Sequence, residues 1–260
     1  MGNPVLAKEI RTRFRSRKAR GIKLAIGIPA AVVIAISYWW LIAGMLEMRS
    51  PDEEIWFFAA FLQLTLLCFI TPGLLSNAIS QEKEQRTWGL LLVTRLTPWQ
   101  ILSGKLVARL LPIPILMAVF VPFMAYSAAK ANLSAWVVVG TYLILFSCIF
   151  LFGVQALFWS WLLRKTSVAT AAAYGSVFFL TVGTSILEDL VKTAGGSPGD
   201  ETPILWFNPF YALVKLSELG EAHSGHAAIW LMAFITAVYI SVSWILLAVM
   251  KGRLEKVQPE

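Results

Sequence analysis

The sequence predicts an all-α membrane protein that crosses the bilayer six times. Hydrophobic residues make up 58% of the 260 residues and charged residues only 14%, and the mean hydropathy is +0.70. A soluble domain carries about 25% charged residues. Apolar stretches of about 20 residues recur, which is the length that crosses a hydrocarbon core. Their continuous apolar character indicates helices rather than the alternating strands of a barrel.

Six segments have this character, and together they predict a single membrane domain, 1–260. The spans are about 24–46, 55–79, 101–128, 135–163, 168–191 and 228–250. An even number of spans places both termini on the same side of the membrane. We therefore name the connections in chain order, so that the second link joins spans two and three.

The distribution of basic residues predicts the orientation. Of the 22 Lys and Arg residues, 18 lie in the N-terminal segment, the second link with the adjoining start of span three, the fourth link and the C-terminal tail. Such a bias is typical of cytoplasmic segments, so we expect both termini in the cytoplasm and the chain in a bacterial inner (cell) membrane. The net charge of +7 is explained by this orientation, and no nucleic-acid partner is expected.

The N-terminal segment, residues 3–21, predicts an amphipathic surface helix. Leu6, Ile10 and Phe14 recur every four residues and form one stripe, while Arg11 and other basic residues lie mostly away from it. Such a helix can lie among lipid headgroups with its basic face toward anionic lipid. The alternative is a basic topology signal without a surface helix.

The second link, residues 80–98, has an unusual order of residue types. It begins with charged residues, including Glu82, Glu84 and Arg86, and continues into an apolar stretch. Thr87 can cap a short helix there. A helix this apolar and this short needs a partner surface or the membrane interface to cover it. The candidate docking residues are Glu82, Glu84, Arg86, Thr87, Leu90, Leu91 and Arg95.

Two further segments predict local structure. Thr97 and Gln100 form a capping box around Pro98, which predicts that the third span starts as a helix at the end of the second link. The fifth link, residues 192–227, is the longest, and its apolar part is interrupted by Asn208 and Pro209. We expect a re-entrant helical element there, covered by protein.

The sequence contains no motif for catalysis or for a cofactor. Gly104-Lys105 is followed by Leu106 instead of Ser or Thr, so a phosphate-binding loop is absent. His223 and His226 have no Cys or carboxylate cluster beside them, so we expect no metal site. Polar residues inside the spans are the candidates for a transport pathway. These candidates are Gln63, Thr71, Thr181, Thr184 and Ser185.

The stretch from Ala78 to Ala108, AISQEKEQRTWGLLLVTRLTPWQILSGKLVA, resembles the transmembrane subunits of second-class ATP-binding-cassette exporters, the ABC type-2 permeases. In that family a Glu-rich turn leads to a threonine, a Leu-rich helix, a Thr/Ser-Pro turn and a Gly-Lys pair. The matching positions here are Glu82, Glu84, Thr87, Leu90 to Leu92, Thr97-Pro98 and Gly104-Lys105.

The resemblance implies that the second link is a coupling helix that docks on a separate ATPase subunit, and that residues 3–21 are an elbow helix beside it. It also implies a homo- or heterodimer of two six-span subunits with two ATPases, and a pathway largely along spans two and five. The ATPase, rather than this chain, would bind ATP and magnesium and perform the hydrolysis.

Two other functions remain open from the residues alone. The same apolar patch suits a non-transporting membrane anchor or receptor for a cytosolic complex. A membrane-embedded lipid-processing enzyme is less favoured, because it needs convergent acids, histidines or metal ligands at one depth, and no such set is found in the sequence.

Overall fold

The computed structural model describes residues 53–92, 96–193, 203–221 and 225–256, together with the single positions 5, 35 and 39. Within these residues every regular element is helical, and five helical stretches are long and apolar enough to cross a membrane. The chain is therefore an integral membrane protein, and these stretches correspond to predicted spans two to six. The first predicted span and the predicted N-terminal surface helix lie outside the described residues, apart from the three single positions.

The elements follow one another with short connections. They are α1 Glu53–Leu75, α2 Ser80–Glu84, α3 Trp88–Leu92, α4 Pro98–Leu110, α5 Pro112–Lys130, α6 Ala135–Leu162, α7 Thr166–Phe178, a π-helix Phe179–Gly183, α8 Thr184–Thr193, a 3-10 helix Pro203–Phe207, α9 Pro209–Glu221 and α10 Gly225–Glu255. Span two is α1, span three is α4 with α5, span four is α6, span five runs from α7 to α8, and span six is α10.

Helix α6 lies at the centre of the described bundle. It packs against α1, α7, α9 and α10, and buried side chains occur on several of its faces. Gly140 brings α10 close, because a Cβ atom at this position would lie 1.7 Å from Met232 Sδ. Small residues permit such close helix approaches in membrane proteins.

Proline interrupts two spans, as the sequence suggests. The third span is two helices, which meet at Leu111 directly before Pro112, where the missing N–H removes a helical hydrogen bond. Pro72 lies inside α1, and the hydroxyl of Tyr174 donates to the carbonyl oxygen of Phe69 at 2.8 Å. Pro72 has no N–H for the Cys68 carbonyl, and the bond from Tyr174 to the adjacent Phe69 carbonyl therefore lets a neighbouring helix support the backbone in the turn before the proline.

Several predicted boundaries differ from the observed ones. Helix α1 ends at Leu75, four residues before the predicted end, because a turn at 76–79 leads into α2. The sixth span continues to Glu255, five residues beyond its predicted end. The sequence also contains no signal for the π-helix in span five.

Candidate docking site

The turn that begins the second link is fixed to α6. The hydroxyl of Ser160 accepts from the amides of Ile79 and Ser80, at 2.8 and 3.0 Å. Ser80 and Ser160 are both fully buried. The first amides of a helix have no partner within that helix, so a side chain from α6 acts as the cap of α2.

A buried lysine on α4 holds the same turn from another side. Lys105 donates to the carbonyl oxygen of Ala78 at 3.1 Å and to Glu82 Oε1 at 2.6 Å. The Lys105 side chain is 1% exposed and that of Glu82 is 26% exposed. A buried ammonium needs a countercharge and hydrogen-bond acceptors, and Glu82 and Ala78 supply both.

A second cation lies one turn further along α4. Arg109 donates to the carbonyl oxygen of Leu74 at 3.0 Å and to the side-chain oxygen of Asn77. The last carbonyls of α1 lack helical partners, and a cation at a helix C-terminus is stabilised by the helix dipole. Lys105 and Arg109 together therefore attach the end of span two to span three.

Glu84 reaches from α2 to the start of span five. One carboxylate oxygen accepts from the backbone amide of Thr166 at 2.7 Å, and the other accepts from the Thr166 hydroxyl at 2.8 Å. The carboxylate thus satisfies an amide in the first turn of α7, the position at which an acidic group is favoured. Glu84 itself is exposed to solvent.

The end of α2 is a tight turn with a left-handed residue. Arg86 has φ = 57°. Its amide donates to the carbonyl oxygen of Lys83 at 3.2 Å, and the amide of Thr87 donates to that of Glu82 at 2.9 Å. This pair of bonds is a Schellman motif, in which glycine normally occupies the left-handed position. The Thr87 hydroxyl also donates to the Glu82 carbonyl oxygen, at 3.3 Å.

The short apolar helix predicted in the second link is confirmed as α3, Trp88–Leu92. Trp88 is partly buried against the bundle core, whereas Gly89 is exposed and Leu91 is partly exposed. The predicted start of span three is also confirmed. The Thr97 side chain accepts from the Gln100 amide, and the Gln100 side chain accepts from the Thr97 amide.

The predicted docking residues therefore divide into three groups within the described chain. The acidic residues Glu82 and Glu84 contact other spans of this chain, while Arg86 and Thr87 form the turn before α3. Leu90 and Leu91 lie on α3. Arg95 and the predicted elbow residues Leu6, Ile10, Arg11 and Phe14 lie outside the described residues.

Three of the predicted pathway residues meet at one buried asparagine. Asn208 donates through Nδ2 to the carbonyl oxygen of Thr181 at 2.6 Å, and the same nitrogen lies 3.0 Å from the hydroxyls of Thr184 and Ser185. Its side-chain oxygen accepts from the amide of Phe210 at 2.9 Å. Asn208 is therefore the cap of α9 and the partner of the π-helix at the same time.

The π-helix explains why polar side chains collect there. The amide of Thr184 donates to the carbonyl oxygen of Phe179, five residues earlier. The usual acceptor of that amide, the carbonyl of Leu180, instead accepts from the Thr184 hydroxyl at 2.8 Å. The irregular turn thus uses hydroxyls to satisfy its backbone, as buried backbone groups require.

The other two pathway candidates lie in helix contacts. Gln63 is 1% exposed and donates to Met117 Sδ at 3.2 Å, and Thr71 is fully buried. The residues that sequence reasoning missed are Arg109, Ser160, Thr166 and Asn208, together with the pairing role of Lys105. Lys105 and Arg109 carried a usable signal, since two cations four residues apart beside an apolar span are costly unless paired.

Comparison with known proteins adds no family to this description. No family model matches the chain, and a search of curated proteins finds no similar sequence. In the described part of the chain, His, Cys, Asp and Glu side chains form no group of three that could hold a metal ion. The histidine side chains of the fifth link lie outside the part described.

Proposed function

We propose that this chain is the membrane-spanning permease subunit of an ATP-driven ABC exporter of the second class. The second link would dock on a separate ATPase subunit on the cytoplasmic side. The observation that carries the proposal is the construction of this link. A short apolar helix, α3, in which Leu91 is partly exposed, follows a base, α2, that is hydrogen-bonded to three different spans. The sequence resemblance of Ala78 to Ala108 supports the same assignment.

The geometry of the second link is suited to transmitting movement from a docked partner to the membrane helices. A docking element that transmits movement needs one end, the tip, that the partner can contact, and another end, the base, that is bonded firmly to the membrane helices. The tip is α3, where Leu91 is partly exposed and can anchor an interface through apolar contact. The base includes Glu82, whose carboxylate is engaged by Lys105. Charged residues around the tip, such as Arg86, would set partner choice and register.

The rest of the proposal follows from the assignment. Two such subunits, identical or different, would pair in the membrane with two ATPases, and the ATPases would bind ATP and magnesium. Export would take place between the subunits, largely along spans two and five. The cargo would be lipid-like or amphipathic, because the spans contain few charged groups with which to bind a small ion.

The test is purification of the full chain from native membranes with variants at Leu91. We expect the wild-type chain and Leu91→Met to co-purify with a subunit that hydrolyses ATP. Leu91→Asp should insert in the membrane but lose that subunit, because a carboxylate would be buried in an apolar contact. ATP hydrolysis by the isolated chain, or retention of the ATPase by Leu91→Asp, would refute the assignment.

A membrane anchor or receptor is the second candidate, because α3, through the partly exposed Leu91, could bind a cytosolic complex without transport. The reconstituted complex distinguishes the two. An exporter should move a fluorescent amphipathic lipid across a vesicle bilayer in the presence of ATP, and the movement should stop with a non-hydrolysable analogue. An anchor should bind its complex equally well and leave the lipid distribution unchanged.

A further inference from the structure

We infer that Glu84 is a positioning residue that couples the second link to span five through Thr166, so that the link moves span five as well as spans two and three. The inference rests on the proposed function, because it describes how an ATPase docked on α3 would act on the membrane helices. The backbone connects the link directly only to spans two and three. The Glu84–Thr166 contact adds a connection to span five.

The side of span two that faces α7 carries a series of polar contacts. From the membrane interior toward the link, the carbonyl oxygen of Phe69 bonds to Tyr174 at 2.8 Å, and Ser76 bonds to Thr170 at 2.9 Å. The Glu84–Thr166 pair lies at the end of the series. Of these three pairs, only the last lies beyond the turn at 76–79, so it is the one of the three that joins α7 to the second link itself.

The Glu84–Thr166 contact is also the strongest type of the three. Both carboxylate oxygens accept, one from an amide and one from a hydroxyl, and bonds to an ionised acceptor are stronger than bonds between neutral groups. The acceptor lies at the N-terminus of α7, where the helix dipole favours negative charge. A displacement of α2 would therefore pull or release the first turn of span five.

Helix α7 can transmit such a displacement further, because hydrogen bonds along its length hold it against α6. The indole of Trp159 donates to the Ser176 hydroxyl at 3.1 Å, and the side-chain Nε2 of Gln155 donates to the Ala173 carbonyl oxygen at 3.5 Å. The helix then meets the π-helix, which Asn208 anchors to the start of α9. Irregular π-turns often mark functional positions within helices, and here one separates the half of span five tied to the link from the half tied to α9.

Spin-label distance measurements test the inference in the full chain in nanodiscs. Gln85→Cys and Ser167→Cys place labels on exposed positions next to Glu84 and Thr166, in a background where Cys68 and Cys148 are replaced by serine. The measurement is made on the chain alone and on its complex with the co-purifying ATPase, without nucleotide and after trapping with ATP and vanadate. Glu84→Ala removes the contact, and Thr166→Ser retains its hydroxyl. Gln81→Ala, another exposed position on α2, is the matched control.

In the wild-type chain, Thr166→Ser and Gln81→Ala, we expect one narrow distance that is the same before and after trapping. In Glu84→Ala that co-purifies with the ATPase, the distance should broaden and shift on trapping, and the stimulation of ATP hydrolysis by an added amphipathic lipid should be lost. Loss of the ATPase from Glu84→Ala would show that Glu84 acts in docking and would overturn its assignment as a positioning residue. The inference is overturned if the label distance in the wild-type chain changes on trapping, or if the distance in Glu84→Ala stays the same. Either result leaves the proposed function standing. If no ATPase co-purifies with the wild-type chain, the proposed function is overturned, and the inference with it.

Discussion

Lys105 and Glu82 form an ion pair of 2.6 Å in which the two partners differ in exposure, 1% for the lysine side chain and 26% for the glutamate. The pair joins the beginning of span three to the second link. Because the glutamate side chain is more exposed than the lysine side chain, the loss of either partner leaves an unpaired charge in a different environment. This difference in exposure predicts that the two single variants destabilise the protein to different extents.

We predict that Glu82→Ala destabilises the protein more than Lys105→Met. Glu82→Ala leaves a buried ammonium with only the Ala78 carbonyl, and breaking a buried pair in this way costs about 3–5 kcal/mol. Lys105→Met leaves the carboxylate of a partly exposed side chain, which can rotate toward water once the lysine is gone, so its effect should be smaller. The melting temperature in detergent measures the difference. The double variant should be more stable than Glu82→Ala alone, and the reverse order of the single variants would contradict the assigned burial.

Arg86 permits a variant that separates charge from backbone geometry in the docking link. The residue has φ = 57°, which is unfavourable by about 1 kcal/mol for a residue with a Cβ atom. Arg86→Gly should therefore keep or stabilise the turn while it removes the charge. If Arg86 contributes to docking, Arg86→Gly should weaken ATPase co-purification without lowering the melting temperature.

Charge reversal at Glu84 is a less specific probe of docking. Glu84→Arg also removes the acceptor of the Thr166 amide and hydroxyl, so it changes the start of span five. Its effect on the ATPase should be accompanied by weaker hydrogen-exchange protection at the first turn of α7. If Arg86→Gly reduced that protection as strongly as Glu84→Arg, the contact would not be specific to Glu84.

Local patterns predicted local structure, and contacts distant in sequence were not predictable. The capping box at Thr97 was readable because its partner, Gln100, is three residues away. Glu84 was read as a docking charge because nothing in the sequence places Thr166, 82 residues later, beside it. Docking of the ATPase stays a prediction.

The same limit applies to the pathway candidates. Thr181 and Thr184 were predicted as pathway residues because polar side chains inside a membrane span call for an explanation. For Thr184 the reason visible in the structure is Asn208, 24 residues later, whose Nδ2 lies 3.0 Å from the hydroxyl. The Thr181 hydroxyl instead donates to the Val177 carbonyl oxygen of its own span at 2.9 Å, and Asn208 bonds to the Thr181 backbone carbonyl. Apolar composition predicted spans two to six, but composition does not encode the π-helix that brings these hydroxyls together.

Asn208 holds two elements with the two ends of one amide, and we predict that its variants separate these roles. Asn208→Asp keeps an oxygen for the Phe210 amide but loses the donor to the Thr181 carbonyl. Asn208→Ala loses both, and loss of a helix cap costs about 0.5–2 kcal/mol. Hydrogen exchange should show normal protection of α9 in Asn208→Asp, with faster exchange near the π-helix.

In Asn208→Ala, both regions should exchange faster. Asn132 provides the control, since it also lies outside a regular helix and has φ = 50°, where glycine is compatible. Asn132→Gly should leave protection at the π-helix and at α9 unchanged. Equal effects of Asn208→Asp and Asn208→Ala on α9 would show that the side-chain oxygen does not cap this helix.

Gly140 and Gly175 provide the final comparison, since the same substitution should have opposite effects at the two positions. At Gly140 a new Cβ would lie 1.7 Å from Met232 Sδ and 3.2 Å from Leu216 Cδ2, whereas nothing lies within 4 Å at Gly175. Overpacking in a core costs about 1–3 kcal/mol, and alanine in a helix is favoured over glycine by about 1 kcal/mol.

Gly140→Ala should therefore lower the melting temperature, and Gly175→Ala should raise it or leave it unchanged. Truncation of the buried Met232 is itself costly, so the contact is tested by a double-mutant cycle. Gly140→Ala should lower the melting temperature less in a Met232→Ala background than in the wild-type chain, because the new methyl group then has room. If Gly140→Ala were as stable as Gly175→Ala, α6 and α10 could not approach each other as closely as the structure has them. The packing of α9 against both helices would then need a different explanation.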